Sequence, residues 1–497
     1  MLESLKQETN FTYTENGATT LASSTSHCVD LFATIGALRY ADDNEIIIRF
    51  RRAFVENPDV AIKILFFARD VRGGLGERKV FRVILSWLCN NRPETVIKNA
   101  EYIAEFGRFD DLLSLFYTPC EAVAIEIIKN QLQKDVENAE NKKDISLLAK
   151  WLPSVNASSF ETVKLGKYIA KQLNMSEKEY RKTLAHLRSY LEIIENNLRT
   201  KDYTFDYSEQ PSKAMLKYSM AFMRNDNDRY REFLSKVSRG ETKLNTSTLY
   251  PYELVARCIE KLRYDENRNV CSAVSSEMRE SINTTWEALE DFASAENALA
   301  VVDTSGSMFN SLSNPKPATV ALSLGIYLAE KNNGAFKNHF ITFSEKPQLI
   351  ELKGEKFVDK LDYILTFIEV ANTDIEAVYN LILDAAVKNN VPQDEMPSKL
   401  YIISDMEFDQ CAENASLTNF QNAKQKYEKA GYKLPEIIFW NVQSRNRQQP
   451  VTKNEQGVAL VSGCTPRLFS MVLSGEYTPE KFMLEVISNE RYEKIVA

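Results

Sequence analysis

The stretch VVDTSGSM, residues 301–308, ends an apolar run with five polar or very small residues before Met308, and places Asp303, Ser305 and Ser307 at alternate positions. The run feeding it, NALAVVD (297–303), is continuously apolar rather than alternating. That pattern predicts a strand buried on both faces, as in a parallel sheet covered by helices. The same grammar returns in NHFITF (338–343), KLYIISD (399–405), PEIIFWNV (435–442) and VALVSG (458–463). Between these runs lie helical stretches: PATVALSLGIYLAEKNNG (317–334), FVDKLDYILTFIEV (357–370), DIEAVYNLILDAAVKNN (374–390) and FQNAKQKYEKAG (420–431). Strand and helix in alternation predict a doubly wound α/β domain over residues 297–497. Ligands of such sheets bind beyond the carboxyl ends of the strands, where Asp303 and Asp405 each close an apolar run.

Upstream of residue 297 the pattern is helical almost throughout. SEKEYRKTLAHLRSYLEIIENNL (176–198) opens on a capping box, Ser176 with Glu179, and carries Tyr180, Leu184, Leu187, Leu191, Ile194 and Leu198 at helical spacing. Comparable amphipathic stretches, such as DNEIIIRFRRAFVEN and PDVAIKILFFARDV, are separated by short linkers with Gly, Pro, Asn or Asp. Residues 1–296 are therefore expected to form a HEAT-like array of stacked helix pairs, able to close into a ring, although no fixed repeat period is visible.

Composition narrows the function classes. The chain has 497 residues, 44% of them hydrophobic, enough for two or three packed domains. With 61 Lys and Arg against 69 Asp and Glu, the net charge of −8 advertises neither nucleic acid nor an anionic membrane globally, so any such binding must use a local patch. No sequence-specific DNA reader is evident. Seven cysteines without a C-x-x-C pair and only three histidines argue against a disulfide framework or a zinc site. The polar N-terminal stretch lacks a signal-peptide pattern, and no apolar run reaches the roughly 18 residues of a membrane helix. A reducing, cytoplasmic setting is the resulting expectation.

Chemically, one carboxylate and two hydroxyls at alternate loop positions suit a hard divalent cation, Mg²⁺ or Mn²⁺, which takes oxygen ligands. Thr373, in ANTDIEAV at the start of a helix, offers a further hydroxyl, and Asp405, in IISDMEF, a further carboxylate. The competing reading is a capping loop whose Asp and Ser satisfy backbone N–H groups. The set Asp303, Ser305, Ser307, Thr373 and Asp405 resembles the metal-ion-dependent adhesion site of von Willebrand factor A domains. That resemblance implies direct coordination by Ser305, Ser307 and Thr373, with Asp303 and Asp405 acting largely through waters, and an open position that accepts an acidic group from a protein partner. The position before the threonine, often glycine in that family, is Asn372 here.

FFARDVRGGLGERKVFRVILSWL, GRFDDLL, AKWLPSVNASS, YRKTLAHLRSYLEIIE and YPYELV are similar to the family called domain of unknown function 2828. That family resembles the TROVE domain of the Ro 60 kDa autoantigen, in which a helical ring is followed by a von Willebrand A domain and binds small non-coding and misfolded RNA. The resemblance implies a non-enzymatic RNA-binding protein. A Mg²⁺-dependent adaptor for an acidic protein ligand, or a phage-associated scaffold protein, are the competing classes.

From the residues themselves, the window Arg51–Lys98 holds ten basic side chains against five acidic ones. Arg69 and Arg72 approach the turn Gly73-Gly74, and Arg78, Lys79 and Arg82 leave it. Guanidiniums so placed could grip phosphates, or could equally be spent on Asp70 and Glu77 or on a solvated face. Lys178, Arg181, Lys182 and Arg188 form a second basic stretch open to the same two readings. His186 and the His27-Cys28 pair lack partners for metal or nucleophilic chemistry, and Glu407 and Asp409 read as an acidic strand-end loop.

Overall fold

The computed structural model describes residues 9–191, 193–266, 268–292, 297–309, 313–343, 346–367, 374–409, 417–472 and 477–497. A short hairpin of β1 (Phe11–Tyr13) and β2 (Thr19–Leu21) precedes a long helical region, which is interrupted late by a second hairpin, β3 (Leu262–Tyr264) with β4 (Val270–Ser272). The α/β domain follows, with β5 (Ala298–Asp303), β6 (His339–Phe343), β7 (Leu349–Glu351), β8 (Lys399–Ser404), β9 (Glu436–Asn441) and β10 (Val458–Ser462). These form one six-stranded sheet in the order β10-β9-β8-β5-β6-β7. All its pairs are parallel except β6 with β7. Every residue of β5, β8 and β10 is buried, which is why these runs are apolar apart from their end residues.

Strand order reverses beside β5, whose neighbours are β6 and β8. Val302 pairs with Ile403, so the next residues, Asp303 and Ser404, emerge together at the carboxyl ends of adjacent strands. Asp405 begins the loop beyond β8 rather than closing the strand. The antiparallel edge strand β7 and both hairpins have three-residue strands, too short to show a period of two.

The helices rest on the α/β domain at both ends of the array. At the first, the helix His27–Ile35 lies on β10: the Ser462 hydroxyl accepts from Gly36 N–H (3.0 Å) and donates to the Phe32 carbonyl (3.2 Å). A Cβ at Gly36 would sit 2.5 Å from the Ser462 carbonyl oxygen, so only glycine allows this approach. At the other, the helices Pro251–Ile259 and Ser276–Glu287 pack on the helices Pro317–Lys331 and Phe357–Leu365. There Trp286 stacks on Phe357 with ring centres 3.7 Å apart, and Arg279 pairs with Asp359 and Asp362 at 2.8 and 2.7 Å.

One hydrophobic core runs through both parts of the chain, with Phe32 stacked on Phe67 and edge-on to Phe482. The stretch 176–198 is two helices rather than one. Glu177–Tyr190 keeps the Ser176/Glu179 capping box and buries Tyr180, Leu184 and Leu187 in the main core. Ile194–Thr200 starts afresh, and Ile194 joins a separate core with Tyr207, Met215, Phe222 and Tyr230. Among the described residues no helix is long and apolar enough to cross a membrane.

The last residues of the chain return to the first helices. Asp70, wholly buried, accepts from both Arg491 nitrogens that face it, from the Tyr492 hydroxyl (3.0 Å) and from Arg72 N–H (2.9 Å). Asp59 and Lys98 hold the backbone of Ala497 at 2.8 and 2.6 Å. Asp70→Ala is expected to lower stability by about 3 kcal/mol, the low end for a broken buried pair because Arg491 reaches water. A fall in the urea midpoint at unchanged slope is the readout, and a shift equivalent to less than about 0.5 kcal/mol would refute this role.

Candidate metal centre and cationic cavity

At the carboxyl end of β5 the Asp303 side chain is completely buried. Its Oδ1 accepts from Ser305 N–H (2.9 Å) and its Oδ2 from the Ser404 hydroxyl (2.6 Å). The hydroxyls of Ser305 and Ser307 lie 3.1 Å apart, and Ser307 donates to Asp405 Oδ2 at 2.9 Å. Met406 follows with φ of 67°, a left-handed conformation uncommon for a side-chain-bearing residue. That turn brings Glu407 N–H onto Asp405 Oδ1 at 3.2 Å. Burial first, and the charge of Asp405 second, push the Asp303 carboxyl well above the usual carboxylate range.

Two buried carboxylates and two hydroxyls converging in this way suit a small oxygen-seeking cation. Adjacent ligands of an octahedral Mg²⁺ at 2.0–2.1 Å are about 2.9 Å apart. The oxygen separations of 2.9 and 3.1 Å match that edge. A cation here would also relieve the repulsion between Asp303 and Asp405. Among the described residues no group of three or more His, Cys, Asp and Glu side chains stands together, so the donors here are two carboxylates and two hydroxyls. Thr373 and its neighbour Asn372 lie outside the described residues. One residue that the motif did not reveal stands in the site: Arg445, whose Nη2 is 2.8 Å from Asp405 Oδ2.

The other acidic and nucleophilic candidates have structural roles. Glu407 is buried and accepts from Asn446 (3.0 Å), Gln448 (2.7 Å) and Glu15 N–H (2.8 Å). Burial pushes the Cys28 thiol up to about 12, so it carries no thiolate. His186 is exposed on its helix.

The turn Gly73-Gly74 is a helix–helix connection in which a Cβ on Gly74 would meet the Phe67 carbonyl oxygen at 2.0 Å. The arginines around it separate into two groups. Arg69 is 2% exposed and locked to Asp111 at 2.7 Å, so its charge is spent within that pair. Arg72 is exposed but donates to the Glu105 carbonyl (2.6 Å) and is not on the walls of the three cationic cavities. Arg78 and Arg82 reach Asp110 at 2.7 and 2.9 Å, and Arg108 joins them at 2.8 Å, each guanidinium still partly exposed.

These arginines face a cavity of about 990 Å³. Its wall gathers Arg39, Arg69, Arg78, Lys79, Arg82 and Arg108 from the early helices, Lys150 and Trp151 from the middle, and Lys213, Lys217, Tyr218, Tyr250 and Tyr252 from the late ones. Nine basic residues line it against two acidic ones, Glu77 and Glu195. Adding the off-wall ion-pair partners Asp43, Asp110, Asp111 and Glu253 makes six carboxylates, and nine less six leaves the wall three positive charges in surplus. Arg108 lies over the Trp151 ring at 3.9 Å, and Tyr250 stacks on Tyr252.

A second cavity shares Arg78, Arg82, Lys150 and Trp151 with the first, and a third shares Ser154 and Arg188 with the second while adding Arg181, Lys182 and Arg199. Arg188 itself is spent on the Ala149 and Leu152 carbonyls (2.8 and 2.7 Å) and the Ser154 hydroxyl (2.6 Å). Lys178 is exposed and off these walls. Arg39, Arg108, Lys150, Lys213 and Lys217 escaped the sequence reading because none lies in a locally basic run.

Comparison with known proteins adds two family matches: domain of unknown function DUF2828 over residues 14–124 and 121–296, and domain of unknown function DUF7788 over residues 297–495. The chain is 29% identical to uncharacterized protein L728 of Acanthamoeba polyphaga mimivirus over 520 aligned positions, covering 96% of this chain and 87% of that one. The crystal structure of the Deinococcus radiodurans RO (RSR) protein aligns over 96% of both chains with a TM-score of 0.41 and 13% identity.

Because Arg69 and Asp111 are both sealed from water, Asp111→Ala is expected to cost about 3–5 kcal/mol by stranding a buried guanidinium. Arg72→Ala removes one hydrogen bond at an exposed side chain and should cost under about 1 kcal/mol. Equal effects in chemical denaturation would contradict the division of the two arginines.

Proposed function

We propose, for a chain that belongs to the DUF2828 family, a non-enzymatic RNA-binding role in which small non-coding or misfolded RNA enters the cationic cavity of the helical array. The observation that carries this reading is the wall's surplus of three positive charges in a protein whose net charge is −8. Phosphates are the ligand that such a surplus suits, because neutralising them releases condensed counterions. Trp151, Tyr218, Tyr250 and Tyr252 stand among the cations, the mixture that single-stranded nucleic acid uses for base stacking between phosphate contacts. The arginines that share Asp110 and Asp111 are held in place before any ligand arrives, which lowers the ordering cost of binding.

In this reading the α/β domain holds Mg²⁺ or Mn²⁺ through Ser305, Ser307, Asp303 and Asp405, with Thr373 as the further hydroxyl that the adhesion-site resemblance implies. Such an ion supplies a Lewis-acidic position for an acidic group. Asp303 and Asp405 set the charge of the site, and Ser404 and the Ser305 N–H orient Asp303.

Binding of a fluorescent single-stranded RNA across a salt series tests the RNA reading. Affinity should fall steeply with salt, and Lys150→Ala/Lys213→Ala/Lys217→Ala should flatten the log–log slope by about 2, from roughly 0.7 per phosphate contact. These three lysines sit outside the buried pairs, so the fold is retained. No binding at low salt, or an unchanged slope, would overturn it. For the metal, calorimetric titration with Mg²⁺ should give one site that Asp303→Ala abolishes, and equal binding by that variant would remove the site from Asp303.

A further inference from the structure

The loop after β9 carries a permanent positive charge into the candidate metal centre. Arg445 bridges two carboxylates there, with Nη2 on Asp405 Oδ2 (2.8 Å) and Nη1 on Glu15 Oε2 (2.7 Å). The Asp405 oxygen it holds is the same one that accepts the Ser307 hydroxyl. A cation drawing on Ser307 and on the Asp405 oxygen that Ser307 faces shares that oxygen with the guanidinium.

Arg445 is not a free arm. Helix Asp43–Glu56 grips the loop on either side of it: Arg49 donates to the Ser444 hydroxyl (2.7 Å) and the Asn446 carbonyl (2.9 Å), and Glu45 pairs with Arg447 through both carboxylate oxygens. Hydrogen bonds from Arg447 and Arg49 hold the Glu45 carboxyl down at about 2, so this clamp stays charged at any ordinary pH. Ser444 N–H also bonds the Ala37 carbonyl at 3.0 Å, and Asn446 reaches Glu15 and Glu407. The loop thus belongs mechanically to the helical region and electrically to the α/β site.

Resting on the metal reading above, we propose that Arg445 is a built-in counter-cation that competes with the divalent ion for Asp405, so that metal occupancy is tied to the seating of helix Asp43–Glu56 on the loop. The wild type then binds metal more weakly than its oxygen donors allow, and an arriving ion loosens the loop's hold.

Mn²⁺ binding to the full chain, followed by the loss of the free-ion electron paramagnetic resonance signal, tests this with Arg445→Gln, Arg445→Lys and Asp303→Ala. Arg445→Gln is expected to bind about tenfold tighter than wild type, since like charges at this range repel strongly in a buried site. Arg445→Lys keeps the charge and should stay within about threefold of wild type. Saturating Mg²⁺ should also speed amide exchange in residues 442–449 of the wild type. Equal or weaker binding by Arg445→Gln, equal tightening by Arg445→Lys, or unchanged loop exchange overturns the competition. If the wild type still binds and Asp303→Ala does not, the metal centre survives that result. If neither the wild type nor Arg445→Gln binds Mn²⁺, the metal reading falls and the competition with it.

Discussion

The carboxylate of Asp70 collects Arg491, Tyr492 and the Arg72 N–H at the end of the helix Pro58–Arg69, joining side chains 421 residues apart. This is one foot of an arch. The other stands on the helices Pro317–Lys331 and Phe357–Leu365, where Trp286, Arg279 and their partners meet the α/β domain. Both feet stand on the same domain, and the cavity wall draws on helical-region residues from 39 through 252.

Such a wall needs charges that are aimed as well as abundant. Among the described residues Arg69, Arg78, Arg82 and Arg108 share Asp110 and Asp111, so four guanidiniums are held by two carboxylates. The buried member, Arg69, braces the cluster, while the three partly exposed ones present fixed donors to the cavity. Breaking even stoichiometry in a part-buried network is unfavourable on its own, since surplus charge repels and loses hydration. A structural network that balanced its charges would serve stability better. The imbalance is what makes an anionic occupant the natural reading of the space.

Much of the fold was legible because its signals are local. The runs at 297–303, 399–405 and 458–463 have interiors buried on both faces and therefore continuously apolar, and the Ser176/Glu179 cap is a four-residue pattern. Asp303, Ser305, Ser307 and Asp405 could be found for a related reason: strand ends place them, and strand ends are visible in sequence. The cationic wall was not legible, because Arg39, Arg108, Lys150, Lys213 and Lys217 come together only when the arch closes. Arg69 illustrates the converse. In sequence it was open to gripping phosphate, to pairing with nearby Asp70 or Glu77, or to a solvated face, whereas its actual partner, Asp111, lies 42 residues away. Stretch 176–198 kept its helical period across a break because the second helix repeats the spacing while serving a different core.

A motif names donors and says nothing of the neighbour that competes for them. Asp405 and Arg445 are 40 residues apart, on loops that follow β8 and β9, so the parallel pairing of those strands is what sets guanidinium against carboxylate. Glu15 then draws the N-terminal hairpin onto the same guanidinium, while Arg49 and Glu45 draw in the first helices. The α/β site and the helical array thus share one loop, which holds Asp405 through Arg445 and the helix Asp43–Glu56 through Ser444 and Arg447.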